Sequence, residues 1–281
     1  MKKIDAHQHF WRYHPDTHAW ITDDMSVLRQ DYLPADLAPH LEKNECLGSV
    51  AVQATQTVEE TDWLLKLANQ HEFILGVVGW VDLRDFQVKH YLQKLSQHPK
   101  LKGIRHVIQD EPDDQFMLDP AFLRGVKMLP QFNLTYDLLI YERHLPVALP
   151  FVSYLPDVSI VVDHIAKPKI SQQEISPWRE NIQSLAQNKN VCCKLSGMVT
   201  EADWHHWTYD NLTPYLDVVV EAFGADRLMI GSDWPVCRVA AQYEEVMEII
   251  ERYFSSFSEE EKAAIFYQNA ARFYQIDVGT E

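Results

Sequence analysis

The residues with the greatest chemical potential in this chain fall in three short groups. The stretch IDAHQHFW (4–11) carries Asp5, His7 and His9 at alternating positions, VVDHIAKP (161–168) carries Asp163, His164 and Lys167, and RLMIGSDWPVC (227–237) carries Ser232, Asp233 and Trp234. Imidazole nitrogens and a carboxylate oxygen suit a borderline divalent ion such as zinc, and such a set leaves an open position for water or substrate. His7, His9, His164 and Asp233 are therefore the candidate metal ligands. Asp233 is also the candidate general base and His164 the second candidate catalytic group. A lone histidine is more often a satisfied packing residue; the weight here comes from an HxH pair joined by DH and SD pairs far along the chain.

On a strand, alternate side chains share a face, so the spacing predicts Asp5, His7 and His9 on one side of a first strand. Asp5 lies one layer deeper than His7, which suits it to supporting the site rather than ligating. Short apolar runs recur at 3–7, 47–54, 74–80, 101–107, 133–140, 158–164, 191–197 and 227–233. Between most of them lie amphipathic stretches: 57–71, 85–97, 119–131, 174–187, 212–223 and 239–254, with a last helix near the C-terminus. Continuous apolar strands alternating with helices call for parallel βαβ units, and eight such units in one domain over 1–281 make a (β/α)8 barrel. The region 10–45 reads as a long loop with a short helix, and Pro146, Pro150 and Pro156 break any long helix in 141–157. A doubly wound open sheet is the second choice, but it favours a Gly-rich turn after strand one, where HQHFW stands instead.

In a barrel, chemistry sits at the C-terminal ends of the strands. Those ends carry His7 and His9, Gln53 and Thr55, Trp80 and Asp82, Arg105 and His106, Tyr136 and Asp137, Asp163 and His164 followed by Lys167, Lys194 and Ser196, then Ser232, Asp233 and Trp234. Burying so many polar groups is unfavourable unless they partner one another, a metal or a ligand. That distribution is the main sign of an enzyme.

Bulk properties narrow the class. The net charge is −16, from 41 acidic and 25 basic residues. Such a surface disfavours nucleic acid and anionic membrane as partners. Four cysteines without a CxxC pair suggest reduced thiols in a cytoplasm, and no leader-like or membrane-length apolar run stands out. Cys192 and Cys193 fall in an apolar strand and Cys237 reads as a small apolar residue.

The three motifs above resemble those of the amidohydrolase superfamily, in its lactonase-containing branch of TIM-barrel metal-dependent hydrolases. KGIRHVIQDEPD (102–113) and KLSGMVTEADW (194–204) are also similar to segments of that branch. The resemblance spans nearly the whole chain. It implies hydrolysis of a sugar-acid lactone of the L-fucono- or L-rhamnono-lactone kind, with His7, His9, His164 and Asp233 as the core. Asp233 would serve as base toward water and then as acid toward the leaving alkoxide. A divalent ion, or His164 without one, would polarise the carbonyl. Binuclear members bridge two metals through an internal-strand Lys or Glu and a further His. Strand four here offers only Arg105 and His106, so one metal is expected: zinc first, manganese second, with metal-independent activity left open. Arg105, His106, Lys167 and Tyr136 are candidates for binding the small-molecule substrate, and Trp11, Trp80 and Trp234 for its walls. The loop Trp204–Trp207 is expected at the pocket rim. Alternatives are a 2-pyrone-dicarboxylate lactonase, a decarboxylase or amide hydrolase of the same superfamily, and a sugar-binding barrel without turnover.

Overall fold

The computed structural model describes residues 1–279, and its centre is a sheet of eight parallel strands in chain order. They are β1 (Lys3–Gln8), β2 (Cys46–Val52), β3 (Ile74–Gly79), β4 (Leu101–Val107), β5 (Thr135–Leu139), β6 (Ile160–Val162), β7 (Val191–Leu195) and β8 (Leu228–Ile230). The ring closes just beyond the strand ends: Gln8 bridges to Trp234 in parallel, His9 N donates to Trp234 O (2.7 Å) and Asp233 N donates to His7 O (2.8 Å). This is the expected (β/α)8 barrel.

Around it lie α1 (Pro34–Lys43), α2 (Val58–Gln70), α3 (Val88–Leu95), α4 (Pro120–Val126), α5 (Leu145–Ser153), α6 (Trp178–Leu185), α7 (Met198–Glu201), α8 (Tyr209–Phe223) and α9 (Tyr243–Tyr253). One difference from expectation traces to proline: the stretch 119–131 is helical only to Val126, and a separate 3-10 turn, Leu129–Phe132, begins beside Pro130. In 141–157 no long helix forms; a nine-residue one, Leu145–Ser153, has Pro146 in its first turn, where no N–H partner is needed, and Pro150 inside. Among the described residues no helix is long and apolar enough to cross a membrane.

The barrel interior holds Ile4, Ala6, Val50, Val52, Val78, Val161 and Met229, packed with Ala270, Ala271, Tyr274 and Ile276 of the C-terminal segment. That segment covers the end where the strands begin, since Lys102 Nζ donates to Gln275 O and Gly76 abuts Ile276. The opposite end is left for the polar strand termini.

Strand β1 departs from simple alternation. Its register against β2 slips between Asp5 and Gln8: Asp5 pairs with Ser49 but Gln8 with Ala51, so three steps on β1 match two on β2. A bulge of this kind reverses the facing of the residues beyond it. Ile4 and Ala6 therefore point inward while Asp5 points out toward Ser232 and Tyr243 of α9, and His7 and His9 turn into the barrel. The prediction that Asp5 shares a face with the two histidines is corrected.

Candidate active site

A cavity of about 590 Å³ opens at the C-terminal ends of the strands, with His9, Trp11, Arg105, His164, Lys167 and Asp233 among its lining. His7 lies fully buried directly beneath. Here the candidate ligand atoms of the three motifs meet. Asp233 Oδ1 stands 3.4 Å from His9 Nε2 and 3.8 Å from both His7 Nε2 and His164 Nε2. His7 Nε2 and His9 Nε2 are 3.2 Å apart. His7, His164 and Asp233 each present an atom within 4.8 Å of the other two, and His9 adjoins them beside His7 and Asp233. Zinc bonds of about 2.0–2.2 Å around one centre put ligand atoms roughly 3–4 Å apart.

The other ring nitrogens are held by the protein. His9 Nδ1 faces Val52 O (2.8 Å) and His164 Nδ1 faces Ser196 Oγ (2.8 Å), while His7 Nδ1 lies 3.3 Å from Asp163 Oδ1. In His9 and His164, Nδ1–H donating outward turns the Nε2 lone pair toward the common point, an arrangement that fixes ligating histidines. Burial drives His7 well below the ordinary imidazole range despite the attraction of Asp163, and drives His164 down to about 4 despite Asp233. Burial alone would raise the Asp233 carboxyl, but the imidazoles of His164, His9 and His7 prevail and hold it far below its usual value. Neutral His7 and His164 beside an ionised carboxylate are in the protonation states that metal ligation demands. The donor set therefore fits a single divalent ion.

Below this layer lies a charged network. Lys194 Nζ contacts Asp137 Oδ2 (2.5 Å), Asp163 Oδ1 (3.0 Å) and His7 Nδ1 (3.1 Å), and Tyr274 Oη donates to Asp137 Oδ2 (2.7 Å). Arg105 Nη1 reaches Asp163 Oδ2 (3.1 Å) and His7 Nε2 (3.3 Å), and its Nη2 donates to Gln53 O. Burial acts to raise Asp163, yet Lys194, the adjoining His7 and Arg105 keep it well below the carboxylate range. Asp5 works from the outer face, accepting from Ser232 N (2.9 Å), Ser232 Oγ (2.6 Å) and His7 N (3.2 Å). It ties the backbone beneath His7 to the backbone before Asp233, the supporting role its depth suggested.

Backbone geometry places these groups as much as strand ends do. His164, Ile165, Ala166 and Lys167 form a left-handed run with φ of 53°, 49°, 60° and 47°, and Asp233 has φ of 57°. Each such residue costs about 1–2 kcal/mol, and strain of this kind collects where function needs a side chain aimed. Gly197, at φ 66°, leaves room for the imidazole: a Cβ there would lie 2.6 Å from His164 Nδ1. Gly197→Ala is therefore expected to cost about 1–3 kcal/mol in urea unfolding, as the added Cβ must displace the His164 ring. A loss no larger than that of an exposed surface substitution would mean that the ring yields freely.

Several expected substrate contacts lie elsewhere. Alternation that turns Arg105 and Asp137 inward turns His106 and Tyr136 outward into the helix layer. Tyr136 is fully buried between Phe122 and Phe151. His106 stacks on Phe116, bonds Glu111 Oε1 (2.6 Å) and accepts from Trp80 Nε1 (3.2 Å), which draws Trp80 away from the cavity lining as well. Trp234 packs against Phe10 and Tyr32 behind the site. Trp11, Arg105 and Lys167 do line the cavity, as does Trp204 at the rim, whereas His205 and His206 are exposed. Cys237 is buried, with burial pushing its thiol far up. Sequence reasoning missed Glu201, which lines the cavity 3.6 Å from Lys167 Nζ. It sits on the four-residue α7, too short to leave a periodic signal.

The amidohydrolase family model matches residues 4–276. An L-fucono-1,5-lactonase of Burkholderia multivorans is 40% identical over 98% of this chain and 96% of its own length. One from Burkholderia ambifaria is 37% identical over the same shares. A crystal structure of an amidohydrolase from Burkholderia multivorans with bound zinc superposes with a TM-score of 0.95 at 40% identity, covering 98% of this chain and 100% of that one.

Proposed function

This chain belongs to the amidohydrolase family, and on that footing we propose that it is a lactonase opening a neutral sugar-acid lactone, L-fucono-1,5-lactone or a close relative, to the aldonic acid. The observation that carries the reading is the ionised Asp233 carboxylate on the cavity floor, faced by three imidazoles whose outer nitrogens are tied down. Pure sugar binding would need no such base.

His7, His9, His164 and Asp233 would hold one divalent ion, zinc by its donor set, which when bound polarises the lactone carbonyl and acidifies water. Asp233 takes the proton as water oxygen bonds to the carbonyl carbon. It returns that proton to the ring oxygen as the ring C–O bond breaks, leaving a hydroxyl and a carboxylic acid that ionises. Arg105 brings positive charge beside His7 at the cavity, and Trp11 forms an apolar wall. Lys167 completes the substrate-facing set.

A dianionic 2-pyrone-dicarboxylate ring fits less well. The two Lys and Arg side chains on the cavity already have anions beside them: Arg105 with Asp163 and Lys167 with Glu201. A further carboxylate would find no uncompensated positive charge among them. We read the chain as one catalytic domain in a reducing cytoplasm, a reading supported by its four free cysteines.

The test is a pH-indicator screen of L-fucono-1,5-lactone, L-rhamnono-lactone and 2-pyrone-4,6-dicarboxylate, on chelator-treated and zinc-reconstituted protein. Acid release is expected from the sugar lactones, and more of it with zinc. No lactone opened above background would end the proposal, and carbon dioxide among the products would favour a decarboxylase. Full activity after chelation, with metal analysis confirming an empty site, would shift carbonyl polarisation to Arg105 and His164.

A further inference from the structure

We propose that Glu201 and Lys167 form a diol clamp that determines specificity by grasping adjacent hydroxyls of the substrate ring; this rests on the sugar-lactone reading above. Both line the cavity that holds Asp233, and their side chains remain 21% and 15% exposed. Glu201 Oε1 and Lys167 Nζ are 3.6 Å apart, beyond ordinary hydrogen-bond length, so neither is saturated by the other. A half-buried cation and anion held just apart lose hydration that their mutual attraction recovers poorly. Hydroxyls, which donate and accept together, complete such a pair: one accepts from the Lys167 ammonium while its neighbour donates to the Glu201 carboxylate. The pair is neutral as a unit, so it favours an uncharged polyol over an anion.

The position of the clamp is set by the same backbone that aims His164. Lys167 ends the left-handed run that His164 begins, and its N–H donates to His164 O (2.8 Å). The ring's grip is thereby held at a fixed offset from the reacting carbonyl. On the facing side, Glu201 ends α7, and Trp204 anchors back to the same short helix through Nε1 to Thr200 O (2.8 Å), bringing an aromatic wall beside the clamp. Burial pushes the Glu201 carboxyl up and the Asp233 charge adds to that, offset by Lys167, which places all three within electrostatic reach of one another.

The experiment combines equilibrium binding of L-fucose, which has no ester to cleave, with turnover of L-fucono-1,5-lactone and of δ-valerolactone, which has no hydroxyls. Glu201→Gln and Lys167→Met are each expected to weaken L-fucose binding about tenfold and to cut the preference for the hydroxylated lactone by a similar factor, mainly through KM. Binding unchanged within about twofold, equal losses on both lactones, or no L-fucose binding by the wild-type protein would overturn the clamp. If neither lactone is opened yet L-fucose binding still depends on Glu201, the clamp stands and the lactonase reading falls.

Discussion

Replacing Asp233 with Asn is expected to slow lactone opening by about 10²–10⁴-fold, the range over which a positioned proton acceptor acts. The substitution is close to a single-atom change. Asn tolerates the left-handed conformation that Asp233 adopts at φ 57°, so the backbone bond from residue 233 N to His7 O should persist. An amide, however, neither accepts the proton of water nor returns it to the ring oxygen. Steady-state kinetics on the best lactone, beside a circular dichroism melt showing an intact fold, would check this; a variant retaining near wild-type kcat would require another base. Divalent-ion affinity should fall as well, because one anionic donor among the His7, His9 and His164 nitrogens becomes neutral.

The second large effect concerns stability. Lys194 is fully buried inside the barrel, where its ammonium compensates Asp137 and Asp163 together. Lys194→Met keeps the apolar stem but strands Asp137 without its cation, and the expected loss is about 3–5 kcal/mol. Asp163 retains Arg105 at 3.1 Å, so the cost centres on Asp137. In the wild-type protein, burial already pushes Asp137 up to about 6 against the pull of Lys194. Removing the cation raises it further, so the folded variant holds a proton that the unfolded chain has released. Its stability must then fall as pH rises, and the deficit in urea unfolding should be larger at pH 8 than at pH 6. The double variant Asp137→Leu, Lys194→Met should recover much of the loss. A single variant as stable as wild type would show that Asp137 is relieved by another partner.

The barrel was legible because buried parallel strands leave a plain trace: eight apolar runs, each followed by polar residues. The meeting of His7, His9, His164 and Asp233 was legible for the same reason, since strand order and strand polarity alone bring those termini to one mouth. Finer placements were not. Adjacent residues on a strand face opposite ways, so Arg105 and His106 could not both reach the cavity, nor Tyr136 and Asp137, and the chain does not announce which member turns inward. In β1 the alternation itself was broken by a bulge that spacing does not reveal, so Asp5 left the face of His7 to support it from behind.

Local order along the chain thus dictates the architecture, the residue types at the strand mouths and the chemistry open to them, because periodic burial and strand-end polarity are written into neighbouring residues. Which side chains share the cavity is settled only in three dimensions. The left-handed turn that aims His164 and Lys167, the bulge that turns His7, and the approach of Glu201 from a four-residue helix depend on backbone angles and on contacts between distant segments. Those are set by what the rest of the barrel packs against them, and no local pattern of residues encodes them.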